Sequence, residues 1–174
     1  NFDIFKNKKI IVTGHTGFKG SWLFAWLNKL DAKIIGISKN IPTQPSHYNT
    51  LNFKKNSFWI DIRDKKKLKK KILSFQPDFI FHLAAQSLVF ESIKNPIDTW
   101  NTNLIGTFNI LKKIKKDNSK IIFLSTSRVY PILETNKNLR SKIIKSKLKI
   151  KNMFDENSST IGPKTIYGVT KLSS

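Results

Sequence analysis

Cysteine is absent from the 174 residues, which excludes disulfide staples, thiolate metal sites and a cysteine nucleophile. Acidic residues are scarce, 11 against 32 lysines and arginines, for a formal net charge of +21. Arginine is scarce too, at positions 63, 128 and 140 only, so nearly all the positive charge is lysine. A nucleic-acid binder of this charge would show arginine-rich stripes with interleaved aromatics or a known module, and neither is present. The lysines at 65–67 and 69–71 surround Leu68, Ile72 and Leu73 as the solvated face of a helix. Abundant Lys, Ile and Asn follow from A/T-biased coding alone, although the resulting field still favours phosphorylated ligands. No apolar run approaches the roughly 18 residues of a membrane span, and no apolar stretch with a small-residue cleavage pattern opens the chain. His15, His47 and His82 are too scattered for metal-ligand spacing. No nucleic-acid, membrane or metal partner is therefore expected, and the expected location is cytoplasmic.

Apolar residues make up 39%, and the length suits one domain with a sizeable core. Short apolar runs alternate with helical patterns. Strands are expected at 9–13, 33–37, 58–60, 78–83 and 120–124. Helices are expected from Phe18 to about Leu30, from an N-cap at Asp64 to about Phe75, and from Pro96 to about Lys116. A polar, proline-containing stretch fills 38–55, an irregular one fills 131–163, and a last helix starts near Thr165. Such alternation implies an α/β fold, a doubly wound parallel sheet of Rossmann-like type in the order 3-2-1-4-5. Ligands of such sheets sit at the carboxyl ends of the strands, near the switch between the first and fourth. The chemistry is thereby directed to residues 13–20, 83–86 and 125–130. Trp22, Trp26 and Trp59 are expected in the core.

Gly14, Gly17 and Gly20 follow the first strand and open the first helix with the spacing G-x-x-G-x-x-G. Gly14 permits the tight turn, Gly17 lets the backbone approach a pyrophosphate, and Gly20 lets helix and strand pack closely. The helix N-terminus adds free N–H groups and partial positive charge. The G-K-[ST] ending of a nucleotide triphosphate loop is missing, which disfavours ATP hydrolysis. No carboxylate follows the second strand at Ser38, Lys39 and Asn40, so residues alone leave NAD and NADP both open, Lys39 being able to meet a 2′-phosphate. Tyr167 and Lys171 are one helical turn apart and share a face. Tyrosine is a poor base near neutrality because a free phenol ionises near pH 10. A neighbouring ammonium stabilises phenolate. Such a tyrosine can remove a hydroxyl proton while hydride leaves the same carbon, with Thr126 orienting the hydroxyl.

These residues, together with Asp61-Ile62-Arg63-Asp64, His82-Leu83-Ala84-Ala85-Gln86 and Asn103, resemble the extended short-chain dehydrogenases/reductases that act largely on nucleotide-activated sugars. Within that family the N-terminal half is similar to the CDP-glucose 4,6-dehydratase branch, notably at residues 14–22 and 42–46. The resemblance implies that NAD is the cofactor and a nucleotide sugar the substrate, and that the full-length protein is a homodimer. It implies pyrophosphate contacts at Gly14, Thr16, Gly17, Phe18 and Gly20, adenine contacts at Asp61 and Ile62, and a nicotinamide side lined by Leu83, Ala84, Ala85 and Gln86. Thr126, Tyr167 and Lys171 would be catalytic, with Tyr167 and Lys171 also touching the cofactor. Residues 1–174 would form an incomplete NAD(P)-binding domain, since there is no initial Met and a helical pattern is still running at Ser174. The substrate lobe would lie beyond.

One segment departs from the dehydratase pattern. A 4,6-dehydratase needs an acid and a base beyond the oxidising pair, and those of the family carry them as T-D-E or T-S-D-K. Here Ser127 and Arg128 stand in those positions, and arginine does not release its proton at any working pH. The run Ser125-Thr126-Ser127-Arg128-Val129-Tyr130 is closer to sugar-nucleotide epimerases. Glu134, Asp155 and Glu156 are candidate replacement acids. A dehydratase is the leading reading, an NAD-dependent epimerase the alternative, and a non-catalytic dinucleotide module the third. His15 is left open as a loop filler or a cofactor contact, His82 is read as structural, and His47 as a surface loop residue. The lysine-rich stretch 141–151 is read as a solvated hairpin or lid.

Overall fold

The computed structural model describes residues 2–51, 53–114, 119–132 and 157–174. The candidate lid at 141–151 and the candidate acids Glu134, Asp155 and Glu156 lie outside these described residues. The chain divides into two compact units, Asn1–Ala85 with Asn101–Leu124, and Gln86–Trp100 with Ser125–Ser174.

The first unit is a parallel five-stranded sheet, β1 (Lys9–Thr13), β2 (Lys33–Ser38), β3 (Ser57–Trp59), β4 (Phe79–His82) and β5 (Lys120–Phe123), in the order β3-β2-β1-β4-β5. That is the expected order, and its reversal lies between β1 and β4. Isoleucine-rich runs suit strands buried on both faces, and β1 buries four of its five residues. Helix α1 (Phe18–Lys29) covers one face through Phe24 and Leu27, which pack on Ile10, Val12, Ile34 and Phe81. Helices α3 (Lys65–Phe75) and α6 (Gly106–Ile114) cover the other through Leu68, Ile72 and Ile110, on Ile11, Ile35, Ile37 and Ile80. Asp64 caps α3 as expected, its carboxylate accepting from the Lys67 amide. Between β2 and β3 the proline-containing stretch forms a short helix, α2 (His47–Thr50).

Three expectations are corrected here. Trp22, Trp26 and Trp59 are not in the core; they are 56%, 46% and 54% exposed. Helix α1 buries Gly20, Ser21, Phe24 and Leu27, which turns residues 22 and 26 away from the sheet, and Trp59 ends an edge strand. Trp22 stacks instead on His47, 4.1 Å between ring centroids, and Trp26 meets Phe2 edge-on. His47 is accordingly no free loop residue: it belongs to α2, and its Nδ1 lies 2.9 Å from Ser21 Oγ. The helix expected to run unbroken from Pro96 is instead α5 (Pro96–Trp100), a π segment (Asn101–Ile105) and then α6.

In the second unit, α4 (Val89–Lys94) and α5 precede a 3-10 turn (Ser127–Val129) and α7 (Ile166–Leu172). Thr165 caps α7 by accepting from the Gly168 amide at 3.0 Å. Among the described residues no helix is long and apolar enough to cross a membrane.

Candidate functional site

The turn after β1 is shaped by close contacts that only glycine allows. Gly14 has φ +74°, and a Cβ there would fall 2.7 Å from the Ala84 amide nitrogen. A Cβ on Gly20 would fall 2.0 Å from the Gly14 carbonyl oxygen, so the first turn of α1 lies directly on the loop. Gly17 differs: its Cβ would meet nothing nearer than that same oxygen at 3.4 Å, which leaves room above the loop. Gly17 is also the N-cap of α1, and no side chain caps that terminus. Open space, glycine backbone and an uncapped helix N-terminus are what a pyrophosphate requires, so these residues fit a dinucleotide. Phe18, the first residue of α1, is exposed. Thr16 is buried, and its hydroxyl donates to the Asn40 carbonyl at 2.7 Å, tying the loop to the exit of β2.

His15 points inward. It is fully buried, with Nδ1 2.8 Å from Ser38 Oγ and Nε2 2.9 Å from Ser57 Oγ. Ser57 Oγ donates to the Phe53 carbonyl and accepts from Tyr48, so His15 donates through Nε2 and accepts from Ser38 through Nδ1. Gly36 makes the slot for the ring, because a Cβ there would lie 2.2 Å from imidazole carbons. Burial lowers the His15 pKa to about 4, against a partial offset from the Ile37 carbonyl. Of its two open readings, the loop filler is overturned: the ring ties the loop to β2 and β3. The residues around it, Ser38, Ser57 and Tyr48, carried no sequence signal.

At the end of β3, burial alone would raise the Asp61 carboxyl, but Arg63 outweighs it and holds the group below the usual carboxylate range. The guanidinium is bidentate, Nε to Oδ1 at 3.0 Å and Nη2 to Oδ2 at 2.6 Å, with Lys39 Nζ 3.9 Å away. Ile62 is buried and fills the space that Gly106 leaves open.

At the end of β4, Leu83 donates its amide to the Thr13 carbonyl and Ala84 donates to Thr13 Oγ1 at 3.2 Å. His82 is buried between Thr13 Oγ1 at 2.6 Å and Thr107 Oγ1 at 3.0 Å, in agreement with a structural reading. Ala85 ends the first unit, and Gln86 opens the second. The Gln86 amide donates to Thr99 Oγ1 at 2.9 Å, while its oxygen accepts from the Leu88 amide.

The candidate catalytic residues Thr126, Tyr167 and Lys171 all belong to the second unit. Thr126 precedes the 3-10 turn, and its hydroxyl oxygen accepts from the Arg128 amide at 3.3 Å. Helix α7 meets that turn at Gly168, where a Cβ would fall 2.2 Å from the Arg128 carbonyl oxygen. The helix buries Tyr167 and Lys171. Burial lowers the Lys171 pKa to about 8. Ser127 and Arg128 are exposed. Among the described residues no group of three His, Cys, Asp or Glu side chains could hold a metal ion.

The chain is similar to the CDP-glucose 4,6-dehydratase of Salmonella typhimurium, 43% identical over 116 residues that make up 66% of this chain and 32% of that enzyme. It is also similar to the UDP-glucose 4-epimerase of Halalkalibacterium halodurans, 33% identical over 153 residues, 83% of this chain and 45% of that one. Among solved structures, an epimerase of Methanothermobacter thermautotrophicus superposes with a TM-score of 0.78 at 26% identity, covering 99% of this chain and 46% of that one. The chain therefore spans less than half the length of each of these relatives. Residues 10–174 match the NAD dependent epimerase/dehydratase family, and the chain belongs to that family, whose cofactor is the NAD expected from the sequence.

Proposed function

We propose that this chain supplies the cofactor-binding part and the oxidising residues of a nucleotide-sugar 4,6-dehydratase acting on CDP-glucose or a close analogue. The observation that carries the reading is the glycine cradle at residues 14–20, set at the β1/β4 switch of the sheet. The 43% identity to a CDP-glucose 4,6-dehydratase across 116 residues narrows the substrate.

In this reading Gly14, Thr16, Gly17, Phe18 and Gly20 hold the pyrophosphate of NAD against the N-terminus of α1. Asp61 and Ile62 flank the adenine. Leu83, Ala84, Ala85 and Gln86 line the nicotinamide side. Bound NAD supplies a hydride acceptor. Thr126 hydrogen-bonds the sugar hydroxyl and fixes its orientation. Tyr167 takes the hydroxyl proton, and Lys171, one turn further along α7, supports the phenolate with its ammonium. A lysine with a pKa of about 8 is still largely charged at neutral pH, and removed from water its field on a neighbour is strong. Residues 1–174 are then the incomplete NAD(P)-binding domain of a cytoplasmic enzyme. An apolar groove of about 450 Å³ lined by Pro96, Ile97, Trp100, Ile166 and Val169 supports a homodimer, since such a surface is covered when a second copy docks on it.

The second reading, an epimerase, is favoured by one observation: Ser127 and Arg128 occupy the turn where a dehydratase places its additional acid and base. The experiment is the full-length protein incubated with CDP-glucose and NAD. A 4-keto-6-deoxy chromophore at alkaline pH supports elimination. A changed stereocentre without loss of water supports epimerisation. Retained NAD with no turnover leaves a dinucleotide-binding module.

A further inference from the structure

The hydrogen bonds beneath the β1/β4 crevice run in one direction. Thr107 Oγ1 donates to the Asn103 carbonyl at 2.5 Å, so its lone pair receives His82 Nε2–H at 3.0 Å. Thr13 Oγ1 receives the Ala84 amide at 3.2 Å, which leaves its own proton for His82 Nδ1 at 2.6 Å. A hydroxyl has one hydrogen to give, so this assignment satisfies every member, and the imidazole is held with its hydrogen on Nε2. Thr13, His82, Asn103 and Thr107 are all buried. Thr13 and His82 end their strands and are register partners, so the line passes under the point where the sheet order reverses. One end is the π segment Asn101–Ile105, the other the amide of Ala84, which lies against Gly14. The glycine loop has separate anchors: Gly14 donates to the Ile37 carbonyl at 2.8 Å, and His15 is bound to Ser38 and Ser57.

We infer that His82 is a positioning residue for the nicotinamide end of the cofactor, its single tautomer coupling the π segment to the Ala84 amide and so fixing residues 83–85. The inference rests on the dinucleotide reading above. It separates the two halves of the ligand: the pyrophosphate and adenine side depends on the His15 anchors, the nicotinamide side on His82. The proton acceptor that orders the whole line, the Asn103 carbonyl, lies two hydrogen bonds away from His82, at the far end from the loop.

The test uses the full-length protein and two ligands, NAD and ADP-ribose, which lacks the nicotinamide. Thr107→Val keeps the side-chain shape but removes the oxygen that receives Nε2–H. The Kd for NAD should rise roughly tenfold while that for ADP-ribose changes less than about twofold, and Thr107→Ser should restore NAD binding. In the wild type the ¹⁵N spectrum of His82 should show a protonated Nε2 and an unprotonated Nδ1. Equal losses for both ligands, an unchanged NAD affinity in Thr107→Val, or a hydrogen on Nδ1 in the wild type overturns the inference. A wild type that binds neither ligand sinks the dinucleotide reading and this inference with it. Binding of both with parallel losses sinks the inference alone. If Thr107→Val does not fold, the wild-type ¹⁵N spectrum decides.

Discussion

The two units each bury a basic side chain, and burial acts on both in the same direction with opposite consequences. In the first unit it lowers His15 to about 4, so the imidazole is neutral at neutral pH and serves as a hydrogen-bonding strut. In the second it lowers Lys171 only to about 8, so the ammonium persists. The difference lies in the starting pKa, not in the cause. A histidine that loses water goes from partly charged to wholly neutral at pH 7, whereas a lysine, which starts far higher, stays charged there. His15 suits a loop that must hold still. Lys171 suits a site that must carry charge, and charge held away from water costs stability.

The largest effect expected from this contrast is on acid stability. Because the folded pKa of His15 is about 4 and its ordinary value 6.5, the unfolded chain binds more protons between those values. The stability conferred by the neutral, buried ring is complete above about 6.5 and is lost as pH falls toward 4, by roughly 3 kcal/mol in all. Urea titrations at pH 7 and 4 should show that loss, and His15→Leu should flatten it. A wild type equally stable at both pH values would break the contrast.

Next comes Gly168→Ala in the second unit. Its methyl would meet the Arg128 carbonyl oxygen at 2.2 Å, and backbone cannot retreat cheaply. Displacing α7 moves Tyr167, and kcat of the full-length enzyme should fall about 100-fold, on the scale of a 1 Å misplacement. A third change, Gly36→Ala, drives a methyl into the His15 ring, also at 2.2 Å. Overpacking of this kind costs about 2 kcal/mol. Shortening the ring in the double variant Gly36→Ala/His15→Ala should recover part of that cost, a non-additivity that a double-mutant cycle would measure.

The smallest expected effect on stability is a gain. Lys171→Met removes a buried cation, and stability at pH 7 should rise by about 1–2 kcal/mol while turnover is lost. The folded pKa of about 8 lies below the ordinary 10.5, so the unfolded chain binds more protons between them, and wild-type stability climbs with pH across that window. The advantage of Lys171→Met should therefore shrink as pH rises from 8 to 10.5, which thermal melts in that range would reveal. A variant less stable than wild type at pH 7 would mean that the lysine holds the unit together.

The sheet was legible because β1, β2 and β4 are short apolar runs separated by helical patterns, and parallel topology leaves few ways to order them. Gly14, Gly17 and Gly20 were legible because their spacing is local. The facing of α1 was not: with Phe18, Trp22, Leu23, Phe24, Trp26 and Leu27 apolar on nearly every side, periodicity does not say which stripe meets the sheet, and Trp22 and Trp26 were placed inward. The partners of His15 were hidden for another reason. Ser38 and Ser57 are 23 and 42 residues away in sequence, and a serine carries no mark of the side chain it will meet. The π segment at Asn101–Ile105 gave no warning either, since its residues are ordinary helix surface and core types. The departure at Ser127 and Arg128 was legible because two residues next to Thr126 are enough to show it.

The slot at Gly36 carries an implication for how such chains diverge. An imidazole at 15 and a bare backbone at 36 occupy one shared volume, so neither position can drift alone. Lineages that replace the histidine by a smaller residue become free to add a side chain on the second strand, and those that keep it must keep the glycine. The two positions should change hands as a pair across descendants, a linkage readable from any set of related sequences.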